Sequence, residues 1–124
     1  MIQFFKALAD ENRLRIINLL MHSELCVCEI EVMLEMTQSN VSRHLNKLKS
    51  AGIISSSKDA QWVHYKTSAK FEMKNELLFT YLKNEFGASN LFLDDLARYK
   101  RYEEQNLNCQ LIREDKEKVL KLIK

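Results

Sequence analysis

The chain has 124 residues, 46% of them apolar, which is the size and composition of one globular domain with its own core. It has no proline and two glycines, which favours helices over sharp turns, and no apolar run approaches the roughly 18 residues of a membrane span. The opening segment, broken by Gln3 and Lys6, is not a secretory signal, and three cysteines do not make a disulfide framework, so a cytoplasmic protein with reduced thiols and no membrane partner is expected. The formal net charge of +2 hides an uneven distribution. Residues 1–37 hold three basic and six acidic side chains, net −3; residues 38–70 hold six and one, net +5; residues 71–124 hold ten and ten, net zero. A basic middle third suits a phosphate backbone, which sheds counterions when cationic side chains approach.

Phe4, Phe5 and Leu8 predict a short first helix. Asp10 then reads as an N-cap, with Leu14, Ile17, Leu20 and Met21 at helical spacing through about His22. A third helix is predicted from Cys26 to Glu35, its buried stripe formed by Val27, Ile30 and Leu34. After a turn at Glu35-Met36-Thr37, Thr37 caps a fourth helix that points Val41, Leu45 and Leu48 inward and Ser39, Ser42, Arg43 and Asn46 outward. Gly52 is a left-handed stop. From Ile53 the period becomes two: residues 53–58 and 62–67 read as two strands of a hairpin. Its turn, Asp59-Ala60-Gln61, lacks the glycine that a tight loop favours, so a loop longer than two residues is expected.

One helix is predicted over 71–86, with Leu77, Leu78, Tyr81 and Leu82 apolar and Gly87 ending it. Another covers 90–105, and Asn106-Leu107-Asn108 breaks it before Cys109. The last stretch, 113–124, is mostly charged and reads as a short helix or a frayed tail. The chain therefore divides into a core (1–70), C-terminal helices suited to dimerisation (71–112) and a charged tail (113–124).

Helix, helix-turn-helix, β-hairpin, helix is the order of a winged helix: mainly α, with a β-hairpin wing and extra C-terminal helices. Within that order, Leu8-Ala9-Asp10-Glu11-Asn12-Arg13-Leu14-Arg15-Ile16-Ile17, Glu24-Leu25-Cys26-Val27-Cys28-Glu29-Ile30, Val41-Ser42-Arg43-His44-Leu45 and Trp62-Val63-His64-Tyr65 together resemble the ArsR/SmtB family of metal-responsive winged-helix repressors. The resemblance spans about residues 4–68 and is most like the arsenite-sensing branch. It implies a homodimer that binds double-stranded operator DNA and releases it when an effector binds. It also implies a thiol pair at Cys26 and Cys28 and a recognition helix over Gln38 to Arg43. The sequence departs from the arsenite-sensing pattern at Glu31, where that branch often has its third cysteine. It departs from the cadmium- and lead-sensing branch in having no cysteine before Cys26. The zinc-sensing site of the dimer helices is absent, because His22, His44 and His64 all precede Phe71.

Thiolates are soft ligands, and trivalent arsenic or antimony takes three of them in a pyramid. As(III) or Sb(III) is therefore the expected effector, with Cd or Pb as the alternative and thiol redox sensing as another. Cys109 is the only sulfur available to complete a set with Cys26 and Cys28, from the same chain or from a partner. Residues i and i+2 lie about 200° apart around a helix, so both can face one ion only where the backbone is extended or unwound. On the DNA side, Gln38, Ser39, Ser42 and Arg43 are expected in the major groove, with Arg43 suited to guanine and Gln38 to adenine. His44 and Lys47 are expected near phosphate, and Lys58 and Lys66 on the wing beside the flanking backbone. No serine–histidine–aspartate set, glycine-rich phosphate loop or recognisable carboxylate pair points to an enzyme.

Overall fold

The computed structural model describes residues 1–124. In chain order the elements are α1 (Ile2–Leu8), α2 (Glu11–Leu20), β1 (Leu25–Cys26), α3 (Val27–Leu34), α4 (Gln38–Ser50), β2 (Ile54–Asp59), β3 (Trp62–Thr67), α5 (Ala69–Lys74), α6 (Glu76–Gly87), α7 (Asn90–Glu104), α8 (Cys109–Glu114) and α9 (Lys116–Ile123). This is a winged helix-turn-helix. No helix is long and apolar enough to cross a membrane.

Two side-chain caps found in the sequence start α2 and α4: Asp10 accepts from the Arg13 amide at 3.1 Å, and Thr37 from the Asn40 amide at 3.3 Å. Between α3 and α4, Glu35 takes a left-handed conformation (φ 52°), ending one helix so that the next can begin three residues later. Ile16 and Ile17 of α2, Ile30 and Met33 of α3 and Val41, Leu45 and Leu48 of α4 close the core together with Ile53. Gly52 sits at φ +78°, as the end of α4 requires.

The sheet has three strands in the order β1-β3-β2, all antiparallel. The extra strand is the correction with most consequence. Cys26 is extended backbone paired with His64, and α3 begins one residue later than the periodicity suggests. The hairpin loop is also shorter than expected. Asp59 pairs with Trp62, leaving two loop residues, and Ala60 takes up the positive φ of 55° that a glycine would adopt more easily.

Further corrections concern the C-terminal half. The helix expected over 71–86 is two helices, broken at Asn75 (φ −123°, ψ 42°), and Gly87 is the last residue of α6. Leu77 and Tyr81 do not face this protomer's core; they are 89% and 58% exposed. Of the two readings of the segment 113–124, a short helix or a frayed tail, the helix is the one observed. The segment completes α8 and forms α9, whose Val119 and Ile123 are buried because their i, i+4 spacing makes one apolar stripe among the charges. Burial on α3 likewise extends beyond the predicted stripe, to Val32 and Met33, while Val27 is only half-buried. The cause is that α7, α8 and α9 all lie against α3, which is covered on several sides.

Candidate metal centre and nucleic-acid interface

The three cysteines come together where β1 meets α3. Cys26 and Cys109 are buried and Cys28 is half-buried. The Cys28 and Cys109 sulfurs are 2.8 Å apart, and Cys26 Sγ, Cys109 Sγ and a Glu29 carboxylate oxygen lie within 4.8 Å of one another. Cys109 thus reaches the pair from within the same chain. It does so because Asn106 turns the chain at φ 52° and Asn108 caps α8, accepting from the Leu111 amide at 2.9 Å, which docks the first residue of α8 on α3. The extended conformation of Cys26 removes the helical constraint that would hold an i, i+2 pair on opposite faces.

Glu29 and Tyr102 surround this cluster, and neither is among the site residues expected from the sequence. Glu29 Oε1 accepts the Cys26 amide at 2.9 Å, and Glu29 Oε2 accepts the Tyr102 hydroxyl at 2.5 Å. The first bond had a local signal, since a glutamate three residues into a helix commonly caps the residue before it. The second joins residues 73 apart and had none. His64 Nδ1 lies 3.5 Å from Cys26 Sγ, a consequence of the cross-strand pairing.

The electrostatics keep two of the three thiols protonated. Burial pushes the Cys26 thiol up to about 11. Its hydrogen bond with Cys28, and then burial, raise Cys109 strongly, whereas the same bond lowers Cys28. Cys28 is therefore the first of the three to ionise, and Cys109 keeps its proton. Burial, then the Glu29 carboxylate, hold Tyr102 as a donor far above the ordinary phenol range. The donor set is two buried thiols and one more acidic one, with a carboxylate alongside. It fits a soft ion, which would displace the thiol protons as it binds.

Twelve residues beyond Cys26, α4 opens the second half of the helix-turn-helix. Gln38, Ser39, Arg43 and Lys47 are exposed and Ser42 is half-buried, so all five lie on the outer side of α4. Arg43 donates to Asn40 Oδ1 at 3.3 Å, which holds the guanidinium along that surface. Lys58 is exposed near the wing tip; Lys66, also exposed, faces Glu24 at 3.7 Å.

His44 is the exception and is corrected here: it is 3% exposed and turned away from the outer face. Its Nδ1 is 3.2 Å from Arg13 Nη1, and because arginine only donates, that nitrogen accepts and the ring is neutral with its proton on Nε2. Arg13 also donates to the Ala7 and Lys6 carbonyls, so this buried pair ties α1, α2 and α4 together. Burial lowers the His44 pKa.

A capped helix-turn-helix with a cationic outer face and a three-stranded wing defines a winged-helix DNA-binding regulator. Residues 10–56 match the family model described as bacterial regulatory protein, arsR family, and the chain belongs to that family. It is 48% identical over 63 residues to the cadmium resistance transcriptional regulatory protein CadC of Listeria innocua serovar 6a, covering 50% of this chain and 53% of that one. It is 47% identical over 68 residues to the arsenical resistance operon repressor of Escherichia coli (strain K12), covering 54% and 58%. The chain thus spans about half the length of the curated relatives it matches. Among solved structures, reduced HlyU from Vibrio cholerae N16961 aligns with a TM-score of 0.54 at 37% identity, over 64% of this chain and 85% of that one. Cys26 and Cys28 fall within the span matched by the family model, and Cys109 falls outside it.

Proposed function

We propose that this protein is a homodimeric transcriptional repressor that leaves its operator when Cys26, Cys28 and Cys109 bind As(III) or Sb(III). The observation that carries this reading is the place of Cys109, whose sulfur meets both others at the support of the recognition helix: 2.8 Å from Cys28 and within 4.8 Å of Cys26. Arsenous acid exchanges three hydroxyls for three thiolates, and each hydroxyl leaves as water with one thiol proton. Drawing the sulfurs together works on the β1–α3 junction, and α3 carries α4 through the αL turn at Glu35. The DNA-binding set is Gln38, Ser39, Ser42, Arg43 and Lys47 on α4, with Lys58 and Lys66 on the wing. The similarity to regulators named for arsenical and for cadmium resistance supports a soft ion as effector and leaves Cd or Pb as the second candidate of the same class.

Dimerisation is supported by apolar side chains that this protomer leaves uncovered. Ile2 and Phe5 of α1, Met73 of α5 and Leu77 and Tyr81 of α6 are all more than half exposed. A two-fold dimer would address two half-sites about 34 Å apart.

The test is operator binding by the reduced protein with and without arsenite. Cys26→Ser, Cys28→Ser and Cys109→Ser should each hold DNA as the parent does, with arsenite-driven release weakened at least tenfold. Undiminished release from the Cys26 and Cys28 variants would show that the ion acts elsewhere. A second reading, thiol redox sensing, has one specific observation in its favour: Cys28 and Cys109 are already in contact. Hydrogen peroxide would take two protons and two electrons from this pair, leaving a disulfide and two waters. Release by peroxide without any metalloid, lost in Cys109→Ser, would favour it.

A further inference from the structure

The short helix α8 carries a cysteine at one end and an arginine at the other, and the two touch different machinery. Cys109 opens α8 and meets Cys28. Arg113, one turn later and so on the same face, stacks over the Trp62 ring with its guanidinium carbon 4.9 Å from the ring centroid. Trp62 begins β3 and pairs with Asp59 across the two-residue turn, at the base of the wing tip that bears Lys58. Ile112, buried at 5%, fastens α8 between these two contacts. β1 already ties Cys26 to the inner wing strand by pairing with β3; α8 reaches the wing separately, near its tip, and lies wholly outside the span matched by the family model.

We infer that α8 is a strut that reports the state of Cys109 to the DNA-binding wing, with Arg113 as the positioning residue that grips Trp62. The inference rests on the proposed sulfur site and adds a route from Cys109 to the wing tip, separate from the α3–α4 path and from the pairing of β1 with β3. Cys109 must leave its contact geometry with Cys28 to join a three-sulfur set, and a helix of six residues moves as one piece. Its far end then slides off the tryptophan. The wing, held from outside by this cation–π contact, is freed to change its approach to DNA. An exposed contact of this kind sets the size of the effect at about two- to fivefold in the ratio of operator affinities without and with the ion.

Trp62 is the only tryptophan in the chain, so its fluorescence reads this contact directly. The reduced 124-residue chain is titrated with sodium arsenite and, separately, with cadmium chloride, while ultraviolet sulfur-to-ion charge-transfer absorption is recorded in the same cuvette. Trp62 emission should move to the red as the absorption band grows. The shift should vanish in Cys109→Ser. Arg113→Gln, which keeps the helix and removes the cation, should start at the shifted position, respond little, and lower the affinity ratio about two- to fivefold. Arg113→Lys, which restores a cation over the ring, should recover the response. A full-sized shift in Arg113→Gln would mean that the ion perturbs Trp62 without the strut, and the inference falls. A charge-transfer band with silent Trp62 emission also overturns the strut while leaving the sulfur site standing. No band with either ion removes both.

Discussion

Cys26 and Cys109 hold their protons at neutral pH, one pushed up to about 11 by burial and the other raised by its bond to Cys28 and by burial. That makes pH a way to tell the candidate effectors apart. Binding a bare divalent cation converts these thiols to thiolates and frees at least two protons. The apparent affinity for Cd should then rise roughly a hundredfold per pH unit between pH 6.5 and 8. Arsenous acid carries those protons off as water, so its affinity should stay nearly flat over the same range. Competition titrations at three pH values measure both slopes, and equal slopes would refute the protonation states given to the cluster. His44 supplies a separate pH effect, on stability. Its pKa is lowered in the folded protein, so below about pH 6.5 the unfolded chain binds the extra proton more readily. Stability is therefore full above that pH, falls as the pH drops towards the folded-state value, and then levels off. Thermal melts between pH 7.5 and 5 should show this decline. His44→Asn keeps an acceptor for Arg13 and should reduce it, leaving the share of His22, whose pKa burial also lowers.

At the scale of elements, the parts with local causes were legible in the sequence: the caps at Asp10 and Thr37, the inward stripe of α4, the stop at Gly52 and the hairpin. What escaped were features created by partners far along the chain. Cys26 is a strand residue because β3 pairs with it, and two residues carry no period of their own. α9 reads as charge until α3 supplies a surface for Val119 and Ile123. Of the candidate site, Cys26, Cys28 and Cys109 were recognisable as sulfur, whereas Tyr102 and Glu29 became partners only through the docking of α7. His44 was misjudged because a polar residue on an amphipathic helix reads as outward when its buried partner, Arg13, lies 31 positions away. Another hidden pair fixes α7 to α2. Asp95, 1% exposed, accepts from Arg15 Nε and Nη2 at 2.8 and 2.9 Å, and this bond raises the Arg15 pKa. Asp95→Ala leaves a guanidinium without its carboxylate in a mostly buried place. It should cost about 3 kcal/mol in urea unfolding, and a loss under 1 kcal/mol would mean that water replaces the carboxylate freely.

For the whole molecule, the positions of sulfur and apolar surface separate two tasks. The three sulfurs lie within one chain, so the proposed ion binding would need no second subunit. Reading two half-sites, as the proposed dimer does, would need one, and the exposed apolar side chains Ile2, Phe5, Met73, Leu77 and Tyr81 lie on elements that hold no cysteine. A substitution there should disconnect the tasks. Leu77 is 89% exposed in the protomer, so a charge at this position disturbs no intramolecular core. In a dimer, the same charge faces its symmetry mate across a dry contact, which is unfavourable twice over. Leu77→Glu should thus run as a monomer by light scattering at concentrations where the parent is dimeric, with its melting temperature lowered only by the lost association. Operator affinity should drop at least tenfold, because two half-sites are no longer held by one particle. Its charge-transfer titration with arsenite should be unchanged in stoichiometry, one ion per chain. Should ion binding disappear along with the dimer, the three sulfurs would depend on the partner subunit after all, and the intrachain site would be wrong.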